Sequence, residues 1–226
     1  MVAYLTDKNS IGGVIAAMTL EEKALLLTGK SKAMSNSFEK YGIPAIISLD
    51  GISGINLNQY YMEAHTQNQL AENPDMEARI RAGSEGMFQI TEGMDAVTEV
   101  TEKGYRATNL SPEARKIVEY TNKNMLTNGK LPSSFPVGMA LGASWDRGLV
   151  YRIGAAVGKE AAAYRIDIVL GSPNVNIQRD PRNGRVFESF SEDPFLTASL
   201  APEIVKGVQD QGVGANVKHF AANNQE

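Results

Sequence analysis

Polar side chains follow two apolar runs near the end of the chain, in residues 174–194 (NVNIQRDPRNGRVFESFSEDP) and 217–226 (VKHFAANNQE). The first stretch follows a predicted strand at 166–170, and the second completes a predicted strand at 215–220. A helical stretch at 191–212 lies between them, as in a βαβ unit. Parallel strands of α/β proteins present ligand-binding groups at their carboxyl ends. The two stretches therefore predict an α/β fold with a small-ligand site at that edge of the sheet.

Earlier segments extend this alternation of helices and strands. Thr19 and Glu22 have the spacing of a capping box, which predicts a helix that runs to about Thr28 and stops at Gly29. Residues 45–50 are mostly apolar and predict a short buried strand that ends at Asp50. Residues 139–143 predict a further strand.

Two long helices are predicted in the second half of the chain. Ser144 is the predicted cap of a helix from about Trp145 to Tyr164, whose apolar residues lie close to one face. The other begins at Ser191 and ends near Gly212. Pro202 should kink or split it, because proline removes a backbone donor and clashes with the preceding turn.

Residues 56–131 differ from the rest, since they are polar and rich in Glu, Asn, Gln and Met. Two helices are predicted there, one beginning at Asn73-Pro74 and one running from Ser111-Pro112 to about Met125. No strand pattern is evident. The segment is either an inserted subdomain or a long mobile excursion, and a structureless loop of this length would be unusual.

Composition excludes several classes of function. A net charge of −4 and sparse aromatic residues argue against nucleic-acid binding. The absence of cysteine excludes disulfide and thiolate–zinc architectures, and with only His65 and His219 we expect no metal site and no cofactor. His65 is predicted to be solvated. The N-terminus lacks a basic signal-peptide segment and no apolar run is long enough to span a membrane, so we expect a cytoplasmic protein.

Three groups of residues are candidates for binding chemistry. Asp50 could accept hydrogen bonds from two neighbouring hydroxyls, although Asp-Gly is also a frequent turn dipeptide. The loop from Arg179 to Arg185 could orient a polyhydroxylated ring or an anion, or could be a surface loop of ordinary salt bridges. Lys218 and His219 are adjacent, so a regular strand would point them to opposite faces. Both can reach one ligand only where the backbone leaves strand geometry; otherwise they are structural residues.

Five ordered motifs resemble the N-terminal catalytic domain of glycoside hydrolase family 3, the β-glucosidase type. They cover about residues 15–55 and 132–226. In chain order they read MTLEEK at 18–23, SLDGISG at 48–54, FP at 135–136 with ASWD at 143–146, RDPRNGRVFESFSEDP at 179–194 and KHFAANNQE at 218–226.

The resemblance implies a (β/α)₈ TIM-type barrel, of which this chain is the N-terminal part, with a long insertion or lid at 56–131. It implies a retaining, exo-acting β-glucosidase that hydrolyses terminal β-D-glucosyl residues. Its sugar-binding residues would be Asp50, Arg185, Lys218 and His219, and the Lys218–His219 peptide bond would be cis. Arg179 and Glu188 would support them.

The sequence departs from the family pattern at Asn56, which stands where many members have an arginine. In the family, the nucleophilic Asp and the acid/base Glu lie beyond the KHF motif. The chain would therefore lack catalytic residues and would be inactive alone. Its partners would be a β-glucoside or oligosaccharide and the rest of the enzyme, in the same longer chain or as a complementing chain. Formation of a homo-oligomer stays open.

Two other functions remain open. A non-catalytic carbohydrate-binding remnant, or a truncated gene product, is compatible with the missing carboxylates. A β-N-acetylglucosaminidase of the same broad family is less favoured, because that branch carries a KHFPGHG-like string whereas Ala221 and Ala222 follow Phe220 here.

Overall fold

The structure is a computed structural model that describes residues 3–30, 34–51, 53–73, 94–124, 130–219 and 222–223. The chain divides into two compact units, Met1–Ser48 and Leu49–Glu226. The prediction of a helix beginning at Asn73-Pro74 lies outside the described residues.

The first unit contains helices α1 (Ile11–Ala17) and α2 (Leu20–Leu26) and a 3₁₀ turn at Glu39–Tyr41. The capping box of α2 is confirmed, because the Thr19 hydroxyl accepts from the Glu22 backbone while the Glu22 carboxylate accepts from the Thr19 backbone. The helix ends before Thr28, with Leu27 as its C-cap. A small apolar cluster of Val14, Met18 and Tyr41 forms the core of this unit.

Among the residues that the structure describes, the sheet has three strands in the order β1 (Ser48–Asp50), β2 (Ile168–Asn174) and β3 (Gly214–Lys218). Strands β2 and β3 pair in parallel. Strand β1 is shorter than predicted, because the Ser35 hydroxyl accepts from the Ile46 amide and Ile47 pairs with Met34 in an isolated bridge.

Helices α7 (Arg147–Ala163) and α8 (Pro194–Gln209) pack closely against each other. A Cβ on Gly154 would lie 2.5 Å from the Ile204 carbonyl oxygen, and one on Gly207 would lie 2.4 Å from that of Tyr151. Real Cβ atoms essentially never approach so closely, so glycine is required at both positions.

The strand predicted at 139–143 is wrong, because these residues belong to helix α6 (Gly138–Ser144). A short apolar run does not distinguish the two structures by its period. Ser144 is also not the cap of the next helix. Asp146 is the N-cap of α7 and accepts from the Leu149 amide at 2.9 Å, while Trp145 adopts a left-handed conformation.

Helix α8 begins later than predicted and is not split. Asp193 caps it by accepting from the Phe195 amide at 2.8 Å, and Pro194 occupies the first turn, where its missing donor is harmless. The helix continues through Pro202 as one element and ends at Gln209.

The described part of the segment predicted to be an insertion contains the helices α3 (Asn58–Glu72), α4 (Met94–Lys103) and α5 (Pro112–Asn124). Helix α5 confirms the predicted start at Ser111-Pro112, whereas α3 and α4 were not predicted. They share an apolar cluster of Tyr61, Ala64, Ala96, Val97, Val100, Leu110, Ala114 and Ile117. No strand lies in the described residues of this segment. His65, predicted to be solvated, is buried on α3.

Glu99 connects α4 to the beginning of α5. Its carboxylate accepts from Lys103 Nζ at 2.7 Å and from the Ser111 amide at 3.0 Å. The hydrogen bonds from Lys103 and Ser111 lower the pKa of Glu99 to about 2.

Candidate functional site

An ion pair joins the ends of strands β1 and β3. Lys218 Nζ lies 2.7 Å from Asp50 Oδ1, although the two residues are far apart in sequence. Both side chains are partly exposed, at 18% for Lys218 and 34% for Asp50. The same Asp50 oxygen accepts from the Gly51 amide at 3.0 Å. The pair holds a carboxylate and an ammonium group, which can take part in several hydrogen bonds each, at the ends of the two strands.

A bulge in β2 brings Asn174 beside Lys218. Leu170 pairs with Asn216 and Asn174 pairs with Lys218, so four steps along β2 match two along β3. Gly171 lies inside the bulge with φ 93°, a conformation open to glycine. Bulges of this kind redirect side chains near functional sites. Here the bulge places Asn174, which is only 4% exposed, at the same end of the sheet as the ion pair.

His219 follows β3 and contacts the second asparagine after β2. Its Nδ1 lies 3.5 Å from Asn176 Nδ2. The peptide bond between Lys218 and His219 is cis, as the resemblance implied. The Val175 amide donates to the Lys218 carbonyl at 2.7 Å, so the chain after β2 stays attached to β3.

The arginine-rich loop contributes a second ion pair. Arg185 donates two hydrogen bonds to Glu188, with Nε–Oε1 at 2.8 Å and Nη2–Oε2 at 2.7 Å. Asn174 Nδ2 donates to the same Glu188 Oε2 at 3.3 Å. Arg182 pairs with Asp180 on the surface, and Arg179 is exposed. Of the three arginines, Arg185 is therefore the one that the described contacts join to the strand ends.

A cavity of about 440 Å³ opens beside these residues. Its polar lining comes from Asn176, Arg179, Lys218 and His219. Asp50 and Arg185 lie outside this lining and reach the cavity residues through hydrogen bonds, Asp50 to Lys218 and Arg185 through Glu188 and Asn174. The four predicted sugar-binding residues thus belong to one polar cluster but do not all line this cavity.

Asn56 stands where many family members have an arginine, and its described hydrogen bonds are to backbone groups. Its Oδ1 accepts from the Asn58 amide at 2.9 Å, in a turn at the start of α3. Its own amide donates to the Asp50 carbonyl at 2.8 Å. Asn56 therefore braces the turn after β1 through these bonds.

Two residues of the cluster were not predicted, Asn174 and Asn176. Both are buried and both are hydrogen-bonded. The signal that could have found them is an Asn-x-Asn spacing directly after an apolar strand, since alternate residues share one face. Within the described ranges, no three His, Asp or Glu side chains are grouped as a metal site, and no helix is long and apolar enough to cross a membrane.

The fold is α/β with a parallel pair of strands, and a polar cluster lies at the carboxyl ends of the strands, which is where proteins of the parallel-barrel class bind ligands. Residues 119–225 match the family described as Glycosyl hydrolase family 3 N terminal domain. This match covers 107 of the 226 residues and confirms the resemblance of the motifs.

Similar proteins agree with this assignment. Thermostable beta-glucosidase B from Acetivibrio thermocellus is 36% identical over 214 residues, which are 94% of this chain and 20% of that protein. An exo-alpha-(1->6)-L-arabinopyranosidase from Bifidobacterium breve is 40% identical over 124 residues, 54% of this chain and 16% of that protein. This chain thus spans a fifth or less of the length of these relatives.

The structure of beta-glucosidase 3B from Thermotoga neapolitana in complex with alpha-D-glucose has a TM-score of 0.61 and 28% identity. The match covers 95% of this chain and 23% of that one. The predicted fold class, α/β with part of a (β/α)₈ barrel, is confirmed by this likeness.

Proposed function

We propose that this chain supplies the sugar-binding part of a retaining, exo-acting β-glucosidase that removes terminal β-D-glucosyl residues. The observation that carries the proposal is the 2.7 Å contact between Lys218 and Asp50 at the strand ends. It supports a site in which a carboxylate and an ammonium group, held at fixed positions, face the same ligand. Adjacent hydroxyls of a pyranose are both donors and acceptors and suit such a pair.

Each residue has a distinct role in the proposed site. Asp50 accepts from sugar hydroxyls, and its ion pair with Lys218 holds its carboxylate in place. Lys218, His219 and Arg185 contribute donors. Hydroxyl contacts of this kind strengthen as the ring distorts toward the oxocarbenium-like transition state, so they accelerate the reaction as well as bind the substrate.

We further propose that the nucleophile Asp and the acid/base Glu come from the rest of a family 3 enzyme, and that the 226 residues alone bind sugar without hydrolysing it. A retaining glycosidase requires two carboxyl groups about 5–5.5 Å apart. The pair would be completed by the four fifths of relatives such as the Acetivibrio enzyme that this chain does not match.

An apolar groove along β3 and α8 supports the need for such a completing partner. Its volume is about 630 Å³, and it is lined mainly by Val175, Ile177, Ala201, Val205 and Val217. Strand β3 is the last strand in the sheet order, and Val217 is exposed. A further strand and helix of the same barrel would cover this apolar surface and pair with the strand edge.

The test uses a chimera in which this chain replaces the matching segment of the Acetivibrio enzyme. With an aryl β-glucoside as substrate, Asp50→Asn should lower kcat/KM by about a thousand-fold, since several kcal/mol of transition-state contact would be lost. Asp210→Asn is the matched control, because Asp210 also pairs with a lysine, Lys206, but on the exposed surface of α8. The control should stay within about two-fold of the parent.

A loss of less than ten-fold for Asp50→Asn in a folded chimera would refute the role of Asp50. For the isolated chain, titration calorimetry should detect glucose binding while the same aryl glucoside is not cleaved. A measurable hydrolysis rate from the purified 226 residues would contradict the proposal that the catalytic carboxylates lie elsewhere.

A different sugar is the second candidate, favoured by the likeness to the Bifidobacterium arabinopyranosidase. The chimera should therefore be assayed with aryl β-D-glucoside and aryl α-L-arabinopyranoside side by side. A higher kcat/KM for the arabinopyranoside would replace glucose as the proposed substrate and leave the proposed site in place.

A further inference from the structure

Hydrogen bonds connect the Arg185–Glu188 ion pair through Asn174 and Asn176 to His219. The donor and the acceptor of the bonds between Glu188 and the two asparagines are fixed by their chemistry. The Glu188 carboxylate, which accepts two hydrogen bonds from Arg185, has only acceptor oxygens, so the group of Asn174 that faces it must be its Nδ2 amide. The other end of the Asn174 side chain, Oδ1, accepts from the Asn176 backbone amide at 3.0 Å. A backbone amide is a donor only. Two partners with opposite requirements therefore hold Asn174 in one orientation.

Asn176 is fixed in the same way. Its Oδ1 accepts from the Asn223 amide at 3.3 Å, which again must be a donor. Its Nδ2 consequently faces the other side, where Asn174 Oδ1 lies at 3.1 Å and His219 Nδ1 lies at 3.5 Å. An amide group has two hydrogens, and each has one acceptor here.

The imidazole of His219 therefore has a donor in front of its Nδ1. In the neutral ring only one nitrogen carries hydrogen, and the hydrogen bond to the other nitrogen decides which. We propose that Asn174 and Asn176 are positioning residues that hold neutral His219 as the tautomer protonated at Nε2. His219 is then a hydrogen-bond donor through Nε2, and the carboxylate of Glu188 fixes this polarity through two asparagine side chains.

The inference deepens the proposed function, since a donor imidazole suits a hydroxyl of the sugar, but the tautomer can be measured without any sugar. His65 and His219 are the only histidines, so a chain labelled with ¹⁵N-histidine gives two sets of imidazole signals. Two-bond ¹H–¹⁵N correlation at a pH where both rings are neutral separates protonated from unprotonated ring nitrogens. A His219→Gln variant assigns the signals by removing one set.

The wild-type chain should show His219 protonated at Nε2 alone. Asn176→Asp should shift the ring toward protonation at Nδ1, or at both nitrogens, because a carboxylate oxygen then replaces the donor. Asn183→Asp is the matched control, since it adds the same charge to the same loop region but contacts Arg185 and Asn223 instead of His219. Its spectrum should keep the wild-type tautomer.

Two results would overturn the proposal. One is a wild-type His219 protonated at Nδ1 or present as a mixture of tautomers. The other is an unchanged Nε2 tautomer in a folded Asn176→Asp variant, with folding judged by amide spectra. If that variant does not fold, the wild-type spectrum still decides. Glucose binding measured separately tests the proposed function, so its failure is distinguishable from failure of the tautomer assignment.

Discussion

Buried polar side chains occur both at the strand ends and in the helices α3–α5, but their hydrogen bonding differs. Asn174 and Asn176, at 4% and 7% exposure, have both polar side-chain atoms, Oδ1 and Nδ2, hydrogen-bonded to a partner. In the helices, Asn68 Nδ2 and Thr121 Oγ1 are buried with no partner in the described part of the chain.

Bonded and unbonded buried polar groups have different effects on stability. A fully bonded buried network fixes side-chain orientations, and removal of one member leaves several others unsatisfied. A buried hydroxyl without a partner contributes little and even costs stability, so an apolar replacement of similar shape is tolerated or favoured. The strand ends should therefore respond to substitution much more strongly than the helices.

The largest effect is expected for Asn174→Ala. It removes the donor to Glu188 and the acceptor of two Asn176 donors, so the free energy of unfolding should fall by about 3 kcal/mol in urea titrations. The control Asn124→Ala removes one exposed amide contact at the end of α5 and should cost about 0.5 kcal/mol or less. Equal losses of unfolding free energy in the two variants would contradict a special role for the hydrogen-bonded asparagines at the strand ends.

The next effect is expected for Glu188→Gln. The substitution leaves the partly buried Arg185 guanidinium without its carboxylate and should cost about 2 kcal/mol, measured in the same titration. Glu72→Gln breaks the ion pair with Lys116, in which both side chains are about half exposed, and should cost about 0–1 kcal/mol. A larger loss for Glu72→Gln would contradict the difference in burial as the cause.

Thr121→Val should have the opposite sign. Thr121 is 0% exposed and its hydroxyl has no described partner, so an isosteric methyl should raise the free energy of unfolding by about 1 kcal/mol. Thr98→Val is the exposed control on α4 and should change stability by less than about 0.5 kcal/mol. Destabilisation by Thr121→Val would show that the hydroxyl has an essential partner.

The smallest effect concerns Glu22 of the first unit, whose side chain is 16% exposed. Hydrogen bonds from Lys40 and from the Thr19 backbone lower the pKa of Glu22 from 4.5 to about 2. A lowered pKa means that the ionised form stabilises the fold above about pH 4.5 and that this stability is lost as the pH falls toward 2. The stability difference between wild type and Glu22→Gln should shrink over this range. A difference that is independent of pH would show that charge is not its source.

Sequence patterns predicted the parts of the molecule that carry charge or sharp helix signals. The capping box of α2 and the start of α5 each depend on residue types with strong preferences, whereas a shared site for Asp50 and Lys218 was implied only by the family resemblance. The run at 139–143 was assigned to the wrong element because short apolar stretches fit both helix and strand. Helix α3 was missed because its Asn and Gln residues give no clear apolar face.

The asparagines of the site were missed for another physical reason. An asparagine has no charge and is common in turns, so nothing in its type marks it as buried. Asn174 becomes part of the site through the bulge in β2, which depends on the pairing of strands far apart in the chain. Such pairing is a tertiary property, and a single local sequence does not specify it.

The bulge in β2 also affects which face of the sheet the side chains after it occupy. Because the offset between the paired strands is two residues, the alternation of side chains between the two faces of the sheet is preserved beyond it. An odd offset would turn the asparagines toward the opposite face. Insertions and deletions between Leu170 and Asn174 should therefore be tolerated in pairs far better than singly, so natural length variation at this point should come in even steps.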